Sequence, residues 1–304
     1  MRSFVSGPTL TLALALVLAG CDDNPVTAPT VTSGPELARG GKRTLIAFAH
    51  QESDGTTQIY TVTANGRTTS QLTTGAHSNF SPRWTPDRSK IVFVSDRSGS
   101  EKIHIMNADG TNVLQLTTGG CPDRLPAPSP DGTRIVFQRQ CAGGGLFLIN
   151  SDGSNLTQLT SHANDTEPSW APDGTRVMFA SDRLNPKFDV WSKTLDDQDP
   201  IRFLPCDGTT CRAPIYSPDG TKLAVWLVGS GGSIGIYQGG GVLAVQNLGV
   251  ETGYAAAWSP DGRKIAFVAN YDGGLDVYTA NLDGSDLTVL AKLPGDDVAP
   301  SWHR

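Results

Sequence analysis

The chain has 304 residues, 38% of them hydrophobic, and a net charge of −6. This size suits one large all-β domain or two smaller domains that bury an ordinary core. No run of Lys or Arg occurs, so the acidic chain is a poor match for a nucleic-acid partner.

Residues 1–20 have the features of an export signal. Arg2 supplies a short positive region, and the apolar stretch 9–19 is too short for a membrane-spanning helix, which needs roughly 20 residues. The stretch ends in Leu18-Ala19-Gly20-Cys21, which resembles a bacterial lipobox. The resemblance implies that Cys21 is the lipid attachment site and the first residue of the mature protein. The alternative is an ordinary secretory signal that happens to end near a Cys.

Residues 21–42 are predicted to be a lipidated Cys followed by a flexible tether, because Pro, Thr and Gly dominate and apolar residues are few. We therefore expect a lipid-anchored protein of the cell envelope, on the periplasmic side of the inner or outer membrane. Asp22 resembles the retention signal of enterobacterial inner-membrane lipoproteins and favours the inner membrane.

A repeat dominates residues 43–304. Five segments share one pattern: WTPDRSKIVF, PSPDGTRIVF, WAPDGTRVMF, YSPDGTKLAV and WSPDGRKIAF. Their first residues are separated by steps of 42 to 46, the length of a four-stranded propeller blade. In each segment, an inner strand leads through a turn, Pro-Asp-Gly in four segments and Pro-Asp-Arg in the first, into a second strand with alternating residues. Further Asp-Gly turns, as at Asp109-Gly110, indicate the hairpin to the outer strand.

The two ends of the repeat region complement each other. Residues 44–73 supply the second, third and fourth strands of a blade, whereas its first strand is missing there. Trp302 lies one full step after Trp258, so the C-terminal strand is predicted to complete the first blade and close the ring. The predicted fold is an all-β, six-bladed propeller of four-stranded blades. Its aromatic residues fill the space between blades, and small residues near the axis are Ala127, Ser169, Ala257 and Ser301.

The phrases TEPSWAPDG at 166–174 and VSDRSG at 94–99 are similar to the PD40 (WD40-like) repeats of the TolB β-propeller family. They also resemble the propellers that precede dipeptidyl and prolyl peptidases. The resemblance covers about residues 44–304. It implies the propeller fold, and by analogy it implies a surface that binds other envelope proteins.

Four cysteines follow Cys21, and an exported chain permits disulfides. Cys121 and Cys141 are equally distant from the turn residue Asp131, and Cys206 and Cys211 flank a four-residue loop. We favour the pairs 121–141 and 206–211 among three connectivities, with free thiols as the alternative.

Catalytic motifs are weak. The segment 231–235 reads G-x-S-x-G around Ser233, but a nucleophile elbow needs a strand-to-helix turn and a downstream acid and His, and the only downstream His is His303. His77 and His162 occupy equivalent loops, where a shared metal is less favoured than two solvated side chains. The sequence therefore predicts neither a catalytic residue nor a metal or other cofactor.

The loops that join one blade to the next, together with the loops between second and third strands, are expected to form one face around the channel mouth. This candidate binding rim carries a mixed set of polar side chains with excess acid: His77, Asn79, Asp123, Arg124, Asn164, Asp165, Glu167, Arg212, Tyr254, Asp296 and Asp297.

The functional expectation is a monomeric, non-catalytic scaffold that binds an envelope protein or peptide at this rim and the membrane through Cys21. A carbohydrate-binding or polysaccharide-lyase-type propeller that uses the channel mouth is the alternative.

Overall fold

The computed structural model describes residues 44–302, except for 185, 197–198, 207, 229–231, 240, 248–255 and 272. Expectations that concern Cys21, the rest of residues 1–43, Tyr254 or His303 lie outside the described residues. The described residues form 24 strands and no helix, and hence no apolar helix long enough to cross a membrane.

The strands follow each other at short intervals because a turn signal ends almost every one. The first eight are β1 (Leu45–Gln51), β2 (Thr57–Thr63), β3 (Thr69–Gln71), β4 (Asn79–Trp84), β5 (Lys90–Ser95), β6 (Lys102–Asn107), β7 (Leu114–Gln115) and β8 (Asp123–Pro128). The next eight are β9 (Arg134–Arg139), β10 (Gly145–Asn150), β11 (Thr157–Gln158), β12 (Thr166–Trp170), β13 (Arg176–Ser181), β14 (Asp189–Thr194), β15 (Ile201–Leu204) and β16 (Thr210–Tyr216). The last eight are β17 (Lys222–Val228), β18 (Ser233–Gln238), β19 (Gly241–Asn247), β20 (Ala257–Trp258), β21 (Lys264–Ala269), β22 (Asp276–Asn281), β23 (Thr288–Ala291) and β24 (Asp297–Trp302).

These strands form six antiparallel four-stranded sheets, which confirms the predicted six-bladed propeller. Blade one has the order β24-β1-β2-β3, and Ile46 pairs with Trp302. The C-terminal strand therefore closes the ring as the sequence predicted. Blades two to six begin with the inner strands β4, β8, β12, β16 and β20.

The core lies between the blades. Six buried apolar clusters each combine residues from two neighbouring blades, and one of them joins blade one to blade six through Ile46, Ala266 and Trp302. Two of the tryptophans that end inner strands also bond across this boundary: Trp170 Nε1 donates to Ala127 O at 3.0 Å, and Trp258 Nε1 donates to Ile215 O at 3.1 Å. The tryptophans thus belong to the interfaces between blades, as expected.

The turns after the inner strands are held by their own side chains. In blade three, Ser129 Oγ donates to Asp131 Oδ1 at 2.5 Å, and Thr133 N donates to the same oxygen at 3.0 Å. Gly132 adopts a φ of 72°, which a residue without Cβ reaches at no steric cost. The same Pro-Asp-Gly chemistry recurs around the face opposite the rim.

Candidate functional site

The inner strands share a bulge that shapes the central channel. In five blades the residue three positions before the strand's last residue is left-handed, with φ between 47° and 53°: Ser81, Leu125, Glu167, Ala213 and Ala299. Ladder pairing shifts register at these points, for example between Thr166 and Ser169. A bulge bends its strand and re-aims the following side chains, here toward the axis.

The bulges also correct one sequence-based placement. Pairing continues upstream of each bulge, so the inner strands begin earlier than expected. Six rim candidates therefore lie in inner strands rather than in loops: Asn79, Asp123, Arg124, Glu167, Arg212 and Asp297. Their backbones are consequently fixed by sheet pairing.

Inside the bulges lies a channel cavity of about 250 Å³. Its wall includes the four small residues predicted near the axis: Ala127, Ser169, Ala257 and Ser301. Prolines cover much of the remaining wall, and Pro86 and Pro130 place one end of the cavity at the turns of blades two and three. The cavity therefore extends away from the rim, toward the face of the Pro-Asp-Gly turns.

Two residues depart from the pattern of small side chains near the channel axis. Arg83 and Ile215 stand immediately before the last residue of β4 and β16, where the other blades have Ala or Ser. Arg83 is half-buried, and its Nη1 donates to the carbonyl of the preceding Pro82 at 3.1 Å. No carboxylate of the described residues forms an ion pair with it. Desolvation by burial lowers the pKa of Arg83 to about 10, so the side chain remains cationic at neutral pH.

Glu167 is the one rim candidate that also lines the cavity. Its carboxylate accepts hydrogen bonds from Arg212 Nε at 3.1 Å and from the backbone N of Ala213 at 2.8 Å. Arg212 in turn lies over the ring of Phe188, 4.5 Å from the centroid. The structure thus joins Glu167 and Arg212 into a bridge between blades four and five, and the Glu167 charge is already balanced.

The rim is built from polar clamps that repeat from blade to blade. The first or second residue of the ladder pairs with a cation from the loop or strand beside it: Asp123 with Arg139 (2.6 and 2.9 Å), and Asn79 with Arg97 (2.8 Å). Asp165 makes the corresponding contact with Arg183.

These clamps are buried and packed. Asp123 and Asp165 are 0% exposed, and Asn79 is 1% exposed. The guanidinium of Arg139 lies 4.8 Å from the Phe147 centroid, and that of Arg183 lies 4.7 Å from the Trp191 centroid. Their burial assigns these polar groups to holding the rim in shape, whereas the side chains around them are exposed.

Asp297 makes the corresponding clamp in blade one with a histidine. Its Oδ1 lies 2.7 Å from His50 Nδ1, and both side chains are buried. Desolvation by burial raises the pKa of Asp297 to about 6, although the hydrogen bond with His50 lowers it in part.

The exposed rim carries both charge signs. The His77 side chain is 60% exposed and lies 3.7 Å from Asp96. Arg124 is 40% exposed and is paired with Glu101. Asn164 is exposed and donates to Asp182 Oδ2 at 2.9 Å, and half-buried Asp296 accepts a bond from the backbone of Leu275. These are the candidates that solvent reaches.

Two disulfides lie on the rim face, and their pairing is the one that the sequence analysis favoured. Cys121 bonds to Cys141, and Cys206 bonds to Cys211. Cys121 and Cys206 belong to loops that link successive blades, so each bridge fixes a rim loop to a neighbouring segment.

The histidines and Ser233, which the sequence raised as metal or nucleophile candidates, do not come together in one site. Within the described ranges, no group of three or more His, Cys, Asp or Glu side chains is placed to hold a metal ion. His77 and His162 each lie beside acidic side chains of their own blade, His162 being 3.6 Å from Asp165 and 3.8 Å from Asp182. Ser233 is a buried residue at the start of β18, between two strands of one blade rather than at a strand-to-helix turn.

Sequence reasoning missed Arg83. The signal that would have found it is its position, because the residue just before the last one of each inner strand was already expected to be small near the axis. A charged side chain at such a position points into the channel and departs from the repeat.

Comparison with known proteins agrees with this architecture. The model of the TolB β-propeller domain (PD40) matches residues 21–187, which is more than half of the chain. Among solved structures, TolB from Acinetobacter baumannii has a TM-score of 0.77 at 20% identity. That alignment covers 86% of this chain and 66% of the TolB chain, so this chain spans just under two thirds of that relative.

Two other solved structures share the fold. A chain of a nidogen/laminin complex has a TM-score of 0.67 at 10% identity, with 86% of this chain and 98% of that chain covered. An oligogalacturonate lyase from Vibrio parahaemolyticus has a TM-score of 0.56 at 14% identity, with 82% of both chains covered. At such identities the likeness shows the fold alone.

Proposed function

Because the chain belongs to the TolB β-propeller family, we propose that it is a non-catalytic scaffold of the cell envelope, anchored through a lipid on Cys21, which binds a protein partner at the rim. The observation that carries the proposal is the construction of that rim. Buried clamps and two disulfides fix its loops, while side chains of both charge signs remain exposed. A preorganised polar surface loses little conformational freedom on binding.

The exposed set suggests what the partner offers. Arg124, His77 and Asn164 provide hydrogen-bond donors, and their neighbours Glu101, Asp96 and Asp182 provide carboxylates. Such alternating charge favours a polar protein or peptide surface with charges of both signs and determines orientation more than affinity. The chain of the nidogen/laminin complex is a propeller-like relative found in a protein assembly, which is compatible with this use of the fold.

The decisive experiment is crosslinking in intact envelopes of the native host, followed by purification and identification of the partner. We compare the wild type with Arg124→Glu, which places like charges beside Glu101 at the rim. The matched control is Arg263→Glu, which makes the same charge change at an exposed turn on the opposite face. A specific partner should be lost from the Arg124 variant and retained by the Arg263 variant. Equal recovery by both variants would exclude the rim, and recovery of no specific protein would exclude the scaffold.

Lipid anchoring is tested separately. Wild-type protein should fractionate with membranes and incorporate a labelled fatty acid, whereas Cys21→Ser should do neither. Two or more acyl chains give stable anchoring, and a single chain gives only marginal binding. An unlabelled wild-type protein would contradict the lipidation of Cys21. The fractions also distinguish the inner membrane, which Asp22 favours, from the outer membrane.

The similarity to an oligogalacturonate lyase supports one alternative, a carbohydrate-binding or lyase-type propeller that works at the channel mouth. A lyase needs a base, and a metal commonly assists it. Incubation with oligogalacturonate and added divalent cations, followed by detection of unsaturated products, tests this function. Product formation that disappears in Glu167→Gln would favour the lyase over the scaffold.

A further inference from the structure

The channel holds a cation whose charge is left unbalanced. Arg83 lines the cavity from blade two, and its one hydrogen bond within the described part of the chain goes to the carbonyl of Pro82. The other ionisable residue of the cavity wall, Glu167, is already paired with Arg212 and Ala213. With Arg212 counted as the partner of Glu167, the charge left over at the described wall is about +1.

An unpaired guanidinium in such surroundings is costly to the folded protein. Burial alone lowers its pKa to about 10, with no opposing effect from a nearby carboxylate. Charged groups removed from water are normally paired or bound to a ligand. Arg83 also stands where four other blades have Ala or Ser and the fifth has the uncharged Ile215, so the repeat does not explain a charged residue here.

The rest of the wall indicates the chemistry of the ligand. Prolines, alanines and the aromatic residues of the inner strands supply mostly apolar surface, and the volume of about 250 Å³ lies near the small end of ligand pockets. Ser301 Oγ accepts a bond from Trp84 N at 3.2 Å, and its own proton has no acceptor among the described residues. The wall thus offers one planar cation, the hydroxyls of Ser81 and Ser301, and mostly apolar surroundings.

We propose that the central channel binds a small organic monocarboxylate, with its carboxylate on Arg83 and its apolar body against the prolines and alanines of the inner strands. A guanidinium matches a carboxylate through two parallel hydrogen bonds. One cation balances a monoanion, whereas a phosphate dianion would leave excess charge in an apolar cavity. The carboxylate belongs either to a free acid or to the C-terminus of a peptide.

This site is separate from the proposed rim. The cavity reaches Pro86 and Pro130 at the turns of blades two and three, and of the rim candidates it includes Glu167 alone. Binding of a carboxylate therefore requires no partner at the rim, and either proposal can fail without the other.

Calorimetric titration of the purified propeller tests the proposal with acetate, phenylacetate, 3-phenylpropionate and decanoate as probes. Phenylacetamide is the neutral control for phenylacetate. We expect at least one carboxylate to bind, and Arg83→Met to weaken it about 10- to 100-fold, the effect of losing a charge-assisted hydrogen bond. Arg263→Met, at an exposed turn, should leave the affinity unchanged. Arg83→Lys keeps the positive charge but not the two parallel N–H donors of the guanidinium, so it should retain part of the affinity.

A short peptide with a free C-terminal carboxylate, compared with its amidated form, separates the two sources of the ligand. Tighter binding of the free peptide than of the small acids assigns a chain terminus, and the reverse order assigns a free acid. Equal affinity for phenylacetate and phenylacetamide would overturn the proposal. Binding that Arg83→Met leaves unchanged, or no binding by any carboxylate, would overturn it as well.

Discussion

The rim and the channel of this propeller differ in whether their buried charges have partners. At the rim, buried Asp123 and Asp165 each have a guanidinium partner from their own blade. In the channel, Arg83 has no such partner within the described residues. The rim clamps recur in blades one to four, which assigns them to holding the rim of these blades in shape. A charge that departs from the repeat and lacks a partner is better explained by a ligand.

The strongest test of this contrast is to replace Arg with Met once at the rim and once in the channel. Arg139→Met leaves the buried carboxylate of Asp123 with Lys102, 4.0 Å away, as its remaining cationic partner, and we expect it to lower the free energy of unfolding by about 3 kcal/mol. Arg83→Met removes a desolvated cation and keeps an unbranched apolar chain. We expect no loss of stability and a gain of up to about 1 kcal/mol.

Urea denaturation of the two variants beside the wild type measures both effects. Equal losses would show that Arg83 also has a structural partner and would remove the distinction between rim and channel. The exposed pair Lys264–Asp286 supplies a control, since Lys264→Met should cost no more than about 1 kcal/mol.

The sequence predicted the blade architecture better than it predicted the burial and pairing of the charged side chains. The steps of 42 to 46 between the five repeat segments predicted the number of blades, and Trp302 indicated the closure. Both follow from local turn chemistry and a constant strand length. The pairing of Cys121 with Cys141 followed from their symmetric distance to one turn.

The burial of the rim was not predictable in the same way. Asp123 and Asp297 look like loop residues in the sequence, because the bulge that extends their strands depends on left-handed residues such as Leu125 and Ala299, which carry no glycine signal. Their partners are 16 and 247 residues away in the chain. Such contacts become visible only when the strands are paired.

The two disulfides show how strongly the rim is constrained. Cys121 and Cys141 are 20 residues apart, and Cys206 and Cys211 are 5 apart. Because a cross-link restricts the unfolded chain more when the closed loop is longer, the double Ser variant of the first pair should lose about 3 kcal/mol and that of the second about 2 kcal/mol. Thermal and urea denaturation of both variants check this order. The opposite order would indicate that native contacts, rather than the unfolded chain, dominate.

The bulges of the channel wall allow a smaller, matched comparison. Ala299 is left-handed with a φ of 53°, whereas Ala257 lies in a paired strand, and both are nearly buried. Ala257→Gly should cost about 1–2 kcal/mol through lost packing and a more flexible unfolded chain. Ala299→Gly loses the same methyl group but relieves about 1–2 kcal/mol of backbone strain, so we expect it to be nearly neutral. Equal costs would mean that the bulge stores no strain at Ala299.

Carboxylates on the two faces should also titrate in opposite directions. Burial raises the pKa of Asp297 at the rim to about 6, whereas hydrogen bonds from Ser129 and Ser217 lower the pKa values of Asp131 and Asp219 in the turns to about 2. Folded Asp297 holds its proton more tightly than the unfolded chain does. Its contribution to stability is therefore full below about pH 4 and lost as the pH rises through 6.

The turn carboxylates follow the opposite sign. Their contribution is present above about pH 4 and is lost as the pH falls toward 2, and each one is small, at most about 1 kcal/mol, because water screens it. Carboxyl-resonance NMR titration reads each group directly. Asp297→Asn should remove the resonance that titrates near 6, and Asp131→Asn should remove one that titrates near 2. An Asp297 resonance that titrates below 4 would show that the hydrogen bond with His50 outweighs burial in setting the pKa of this carboxyl.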